Sequence, residues 1–157
     1  MGKDEYTVER AANISAPAHA VFDLIADLHR WTEWSPWEDI DPALQRTYSG
    51  AESGAGAVYE WSGNRKAGSG RMEITQAVPP TKVEIALQFL KPFKASSTTT
   101  FELADADGGT RVTWRMVGRK TFMTSLMGVF MSMDKMVGPD FEKGLAQLTT
   151  AAQASSF

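Results

Sequence analysis

A chain of 157 residues with net charge −3 and no cysteine is one domain, long enough to bury a core. The missing cysteines exclude disulfides, thiolate metal sites and a cysteine nucleophile. The slight acidity argues against a nucleic-acid footprint, which needs a basic face to neutralise phosphates. No run reaches the ~20 apolar residues of a membrane helix, and the charged start MGKDEYTVER lacks the apolar stretch of a signal peptide. The expectation is a cytoplasmic protein without stable membrane anchoring.

Taken in order, Tyr6 to Ile14 reads as a strand with Val8, Ala12 and Ile14 on one face, where Arg10 breaks the inward pattern. Ser15-Ala16-Pro17 is a helix-start signal in which Ser15 can cap, followed by Val21, Phe22 and Ile25 on one helical face. Asp27 can cap a second short helix from Leu28 to about Glu33, ended by Ser35-Pro36. Trp31, Trp34 and Trp37 follow at spacing three and can line a cavity mouth or staple the connection from helix to sheet. From Leu44 onward the chain reads as an antiparallel meander: Leu44 to Tyr48, Val58 to Ser62, Gly70 to Val78, Lys82 to Phe89, Ala95 to Leu103 and Arg111 to Val117. Lys82 to Phe89 alternates cleanly, with Val83, Ile85, Leu87 and Phe89 inward. Asp107-Gly108 is a hairpin signal.

The C-terminal region, Phe122 to Leu148, is helical. Its first half holds Met123, Met127, Met131, Met133 and Met136 with Phe122, Leu126, Val129 and Phe130, more apolar surface than one sheet-facing stripe uses. That surplus fits core, a pocket wall, or a dimer or membrane surface. Gly138-Pro139 fits a second helix start, and Phe141, Leu145 and Leu148 then form a packing face. Gly144 beside that face leaves space that a cavity-forming helix can use.

This order of strand, two short helices, meander and C-terminal helix resembles the helix-grip fold. The chain is similar to bacterial members of the START-like (SRPBCC) superfamily, in the polyketide cyclase/dehydrase and lipid-transport family. The resemblance rests on Ile14-Ser15-Ala16-Pro17 with Val21-Phe22, on Trp34-Ser35-Pro36-Trp37, on Thr110 to Trp114, and on Met133 to Gly138 with Asp140 to Leu145. It implies an α+β fold in which a curved seven-stranded antiparallel sheet wraps a long C-terminal helix. It also implies one START-like domain over 1–157, its ordered core about 5–152, and an interior cavity for a hydrophobic ligand. It carries no catalytic motif to particular positions.

The expected function is binding or transport of a small hydrophobic molecule, lipid or polyketide-like. The alternatives are a cyclase or dehydratase acting on such a ligand, or a protein-interaction module using the methionine-rich segment. The candidate cavity residues are Trp34, Trp37, Trp61, Met72, Phe89, Trp114, Phe122, Met127, Phe130, Met131 and Phe141. Weak acid–base candidates are Glu60, with Arg71 opposite it, and His29. If Glu60 points inward it is a buried carboxylate that needs a partner; otherwise the two form a surface pair. His19 and His29 lack partners at metal-ligand spacing, so neither a metal nor a cofactor is expected. A homodimer is open. Arg115, Arg119 and Lys120 precede the methionine-rich segment and can meet headgroups or simply face solvent.

Overall fold

The computed structural model describes residues 5–37, 41, 43–64, 67–91, 94–119 and 133–155. Seven strands form one antiparallel sheet: β1 (Glu5–Ile14), β2 (Gln45–Gly50), β3 (Ala57–Ser62), β4 (Ser69–Val78), β5 (Lys82–Lys91), β6 (Ala95–Ala106) and β7 (Gly109–Arg119). Their spatial order is β1-β7-β6-β5-β4-β3-β2, so the meander closes back on the first strand. Helix α1 (Ala18–Ala26) and a 3-10 helix (Leu28–Glu33) follow β1, and helix α2 (Met133–Ser155) closes the domain. This is an α+β helix-grip fold.

Register sorts the inner face into transverse rows. One row runs Tyr6, Gly118, Ser97, Leu87, Met72, Tyr59 and Tyr48 across all seven strands. The next runs Val8, Met116, Thr99, Ile85 and Ile74, and the next Arg10, Trp114, Phe101 and Val83. Phe141, Leu145, Leu148 and Ala152 of α2 are buried on this face, at the spacing expected for a packing stripe.

The short helices are fixed to the core by indoles. The last carbonyls of a helix lack intrahelical partners. Here Trp34 Nε1 donates to the Leu24 carbonyl at 2.9 Å and Trp31 Nε1 to the Ile25 carbonyl at 2.9 Å. A 3-10 helix has three residues per turn, so side chains three apart eclipse, and the Trp31 and Trp34 rings sit 4.6 Å apart. Asp27 caps this helix, its carboxylate accepting from the His29 backbone N–H at 3.0 Å.

Three local expectations are corrected, those for Ser15, Pro139 and Gly144, and the break at Arg10 is accounted for. Pro17, not Ser15, is the N-cap of α1, and no side chain caps it; the Ser15 N–H instead donates to Gln153 Oε1 at 3.3 Å. Pro139 lies inside α2 rather than at a helix start. Arg10 does face inward, because a long side chain can run under the helix to a polar exit: its Nε donates to Glu142 Oε2 at 2.8 Å, and a Cβ on Gly138 would stand 2.2 Å from its Nη2. Gly144 does not leave open space. A Cβ there would meet Trp114 Cζ3 at 2.7 Å and Pro36 Cδ at 3.0 Å, so the glycine permits close seating of α2.

Candidate functional site

The space between the sheet and α2 is filled mainly by aromatic rings. Trp114 is stacked on Phe141 with centroids 4.1 Å apart and planes 10° apart. Phe101 lies 4.9 Å from Trp114, and Trp34 and Trp37 meet it edge-on at 5.6 and 5.9 Å. Such offset and edge contacts suit the ring quadrupoles.

One cavity of about 30 Å³ remains beside this cluster. Its floor comes from three successive inner rows: Leu87 and Met72, then Met116, Thr99 and Ile85, then Trp114. Its roof is Phe141 of α2, Trp31 of the 3-10 helix and Trp37 of the following loop. The volume is about one water molecule's share of liquid. Thr99 is the one non-aromatic polar side chain in the lining.

Beyond this void the seven-residue row contains two adjacent small residues, Gly118 and Ser97. The Tyr6 phenol covers Gly118, where a Cβ would stand 2.5 Å from its hydroxyl oxygen. Burial pushes the Tyr6 phenol above its ordinary value. Among the described residues, two polar atoms on the inner face are buried without a hydrogen-bond partner, Ser97 Oγ and Trp114 Nε1. Buried polar groups are nearly always paired, so these two are exceptions on the inner face. A larger open concavity, about 390 Å³, is lined by Ala86, Gln88, Ser96, Thr98 and Val117 together with Leu87, Ser97 and Gly118 of the seven-residue row. The first five alternate with the inward row, so this shallow concavity draws on both faces of the sheet and encloses nothing.

The cavity brings together Trp37, Met72, Trp114 and Phe141 of the residues expected from the sequence. Trp34 is fully buried behind them. Trp61 and Phe89 lie further along the inner face, 5.7 Å apart, with the Trp61 ring laid across Gly70 and its Nε1 donating to the Ala67 carbonyl at 3.0 Å. Phe122, Met127, Phe130 and Met131 lie outside the described residues. Trp31, which the sequence grouped with Trp34 and Trp37, also lines the cavity, and Ile85, Leu87, Thr99 and Met116, not named as cavity residues, complete it. Strand alternation already put Ile85 and Leu87 inward, but an inward aliphatic residue reads as core until the gap beside it is known.

The acid–base candidates stand elsewhere. Glu60 is exposed on the outer face, directly opposite Arg71, whose Nη1 instead pairs with Glu73 Oε1 at 3.1 Å. His29 stacks on Tyr48 with centroids 4.1 Å apart, and its Nδ1 lies 2.9 Å from Asp27 Oδ1. Arg115 is on the outer face between Glu9, at 2.7 Å, and Glu102, at 3.5 Å, and the Glu9 hydrogen bond raises its already high pKa. Among the described residues, no carboxylate or imidazole lines the cavity, no group of three or more metal-ligating side chains forms, and no helix is long and apolar enough to cross a membrane.

A curved sheet gripping a helix over a mainly apolar interior defines the helix-grip class. Within it, the family described as polyketide cyclase / dehydrase and lipid transport matches residues 5–153, and the chain belongs to that family. No curated protein matches the sequence. Among solved structures, protein MLL2253 from Mesorhizobium loti is similar at 18% identity over 97% of this chain and 100% of that one, with a TM-score of 0.67. Protein Ms6760 from Mycobacterium smegmatis is similar at 23% identity over 95% and 92%, with a TM-score of 0.64. The di-domain ARO/CYC BexL from the BE-7585A biosynthetic pathway aligns at 12% identity with 99% of this chain and 51% of its own, with a TM-score of 0.65. At these identities the likeness is one of fold.

Proposed function

We propose that this protein binds a small hydrophobic ligand of the lipid or polyketide class between the inner sheet face and α2. The observation that carries the reading is the coincidence of a mainly apolar cavity with two buried polar atoms on the same inner face that have no hydrogen-bond partner among the described residues. Apolar walls supply the drive, at roughly 25 cal/mol per Å² removed from water, and a few polar groups fix orientation. We assign ligand contact to Trp37, Met72, Trp114 and Phe141, together with Trp31, Leu87, Met116 and Thr99. A cavity of about 30 Å³ admits a ligand only by rearrangement. The unbranched side chains of Met72 and Met116 and the half-buried Leu87 and Trp37 are the groups that can move.

The test is titration with a fluorescent fatty acid and with a planar aromatic ketone, read by tryptophan quenching. Leu87→Trp fills the floor of the cavity and is expected to weaken binding at least tenfold in a folded variant. Gln88→Trp, one residue along on the outer face, is expected to leave it unchanged. Equal affinity in the two variants would refute the site. Native mass spectrometry of the freshly purified protein identifies whatever ligand it retains.

A further inference from the structure

The strongest unassigned feature is the hairpin joining β5 to β6. Phe89 and Leu90, at the end of β5, are 38% and 50% exposed. They are two of the three large apolar side chains exposed among the described residues, and they are adjacent. Lys91, at the end of β5, and Lys94, just before β6, are exposed, and neither forms an ion pair among the described residues. From Gln88 to Phe101 the sequence has no acidic residue, in a chain whose net charge is −3. The neighbouring β3–β4 connection ends beside this tip, with Ser69 opposite Lys91, and the sequence from Ser62 to Arg71 has no acidic residue either.

We propose that the β5–β6 hairpin is a docking point for anionic lipid bilayers, at which Phe89 and Leu90 insert at the headgroup boundary while Lys91 and Lys94 meet lipid phosphates. A stable protein partner requires roughly 800 Å² from each side, far more than two side chains at a hairpin tip provide. A bilayer interface needs only a small apolar insertion with cations around it. A second copy is disfavoured by charge, because a two-fold contact would set the lysines of one tip against those of the other. Strands β5 and β6 are both internal to the sheet, so no free edge invites strand addition. Phe89 shares the inner face with Leu87, two residues along the same strand, which lines the cavity. Docking therefore sets the floor of the candidate site next to the membrane surface. The purpose of docking rests on the ligand-binding reading; the docking itself does not.

The experiment uses the full chain and sedimentation with vesicles of phosphatidylcholine alone or with about 30 mol % phosphatidylglycerol. Binding is expected on the anionic vesicles, weak on the neutral ones, and lowered by salt. Each lysine near an anionic surface accounts for about a fivefold change in partition, so Lys91→Gln with Lys94→Gln is expected to lower it about 25-fold. Leu90→Ser is expected to lower it about tenfold, while Val78→Ser, at the opposite end of the sheet, leaves it unchanged. Equal binding to neutral and anionic vesicles, or no effect of the lysine pair, overturns the proposal. So does a concentration-dependent dimer that Leu90→Ser abolishes. Fatty-acid uptake measured without vesicles separates the two readings: its loss counts against the pocket, whereas lost vesicle binding with uptake intact counts against the docking point alone.

Discussion

Replacing Gly144 by alanine sets two effects of opposite sign against each other. Alanine is favoured over glycine in a helix by about 1 kcal/mol, so on propensity alone Gly144→Ala stabilises α2. The new methyl would stand 2.7 Å from Trp114 Cζ3 and 3.0 and 3.2 Å from Pro36 Cδ and Cγ, against ordinary carbon contacts of roughly 3.5–4.0 Å. Neither neighbour yields easily. Trp114 is stacked on Phe141 and packed by Phe101, and the loop before Pro36 is tied to α2 by Gln147 Nε2, which donates to the Trp34 carbonyl at 2.7 Å and the Ser35 carbonyl at 3.2 Å. Overpacking of this kind costs about 1–3 kcal/mol, so after the propensity gain the net expectation is destabilisation by up to about 2 kcal/mol. For a domain of this size that lowers Tm by up to roughly 8 °C. Urea unfolding followed by tryptophan fluorescence and far-UV circular dichroism measures it, and near-UV circular dichroism reports whether the Trp114 cluster has shifted. A Gly144→Ala protein stabilised by about 1 kcal/mol would refute the argument that α2 is seated directly on Trp114 and Pro36.

Four further outcomes follow from other contacts. Gly138→Ala gains about 1 kcal/mol of helix propensity but forces Arg10 aside, so the two roughly offset in the parent and the gain should appear in full only in an Arg10→Ala background; additive single effects in the double-mutant cycle would show the two positions uncoupled. Trp34→Phe leaves the Leu24 carbonyl without its donor and removes buried ring volume, for an expected loss of about 2–4 kcal/mol in chemical denaturation, and an effect below 1 kcal/mol would count against the capping role. The raised Tyr6 pKa gives a group more readily protonated in the folded state, so its contribution is complete below about pH 10 and is lost as pH rises through the folded-state value. The alkaline fall in Tm should therefore be shallower in Tyr6→Phe than in the parent, and identical alkaline slopes would exclude Tyr6 as the cause. Thr99→Val keeps the volume of the cavity floor, so it is expected to change selectivity between a ketone and a plain hydrocarbon probe in quenching titrations; an unchanged ratio would remove Thr99 from ligand orientation.

Legibility from sequence tracked how directly each residue's surroundings follow from its own chain neighbours. The alternation of Val83, Ile85, Leu87 and Phe89 put one face of β5 inward, and Phe141, Leu145 and Leu148 marked the buried stripe of α2, because periodicity is a local property. Glycine and arginine were harder. A glycine reads equally as free space or as close approach, and at Gly144 the answer depended on where Pro36, in a distant loop, is placed. Arg10 disturbs an apolar pattern, yet it lies inward because Glu142 is 132 positions away in sequence and 2.8 Å away in space. Glu60 and Arg71 were expected to meet across a hairpin, and they are indeed opposite, but Glu73 on the same face takes the guanidinium. The cavity lining was legible only in part because a void is defined by what fails to fill it. Met72, Trp114 and Phe141 are large enough to be noticed, while Thr99 matters through its row and its neighbours.

The inner face is organised from a packed region toward a thinner one, and that direction constrains how a ligand reaches the cavity. The row of Arg10, Trp114, Phe101 and Val83 is closed by stacked rings and by the Arg10–Glu142 pair. Two rows on, Gly118 and Ser97 provide almost no side-chain volume, and one row further Phe89 and Trp61 are only partly covered. Stacked rings resist displacement, because moving Trp114 breaks contacts with Phe141, Phe101, Trp34 and Trp37 together. Leu87, Met72 and Met116 lose far less by swinging. Access is therefore expected past the Gly118–Ser97 notch rather than through the aromatic cluster. Gly118→Ala provides the check. Its methyl would clash with the Tyr6 ring, with the nearest contact 2.5 Å from the hydroxyl oxygen, so the phenol must tilt over the notch. Slower ligand uptake with little change in equilibrium affinity would place the route there, and an unchanged association rate would move it to another side of the sheet.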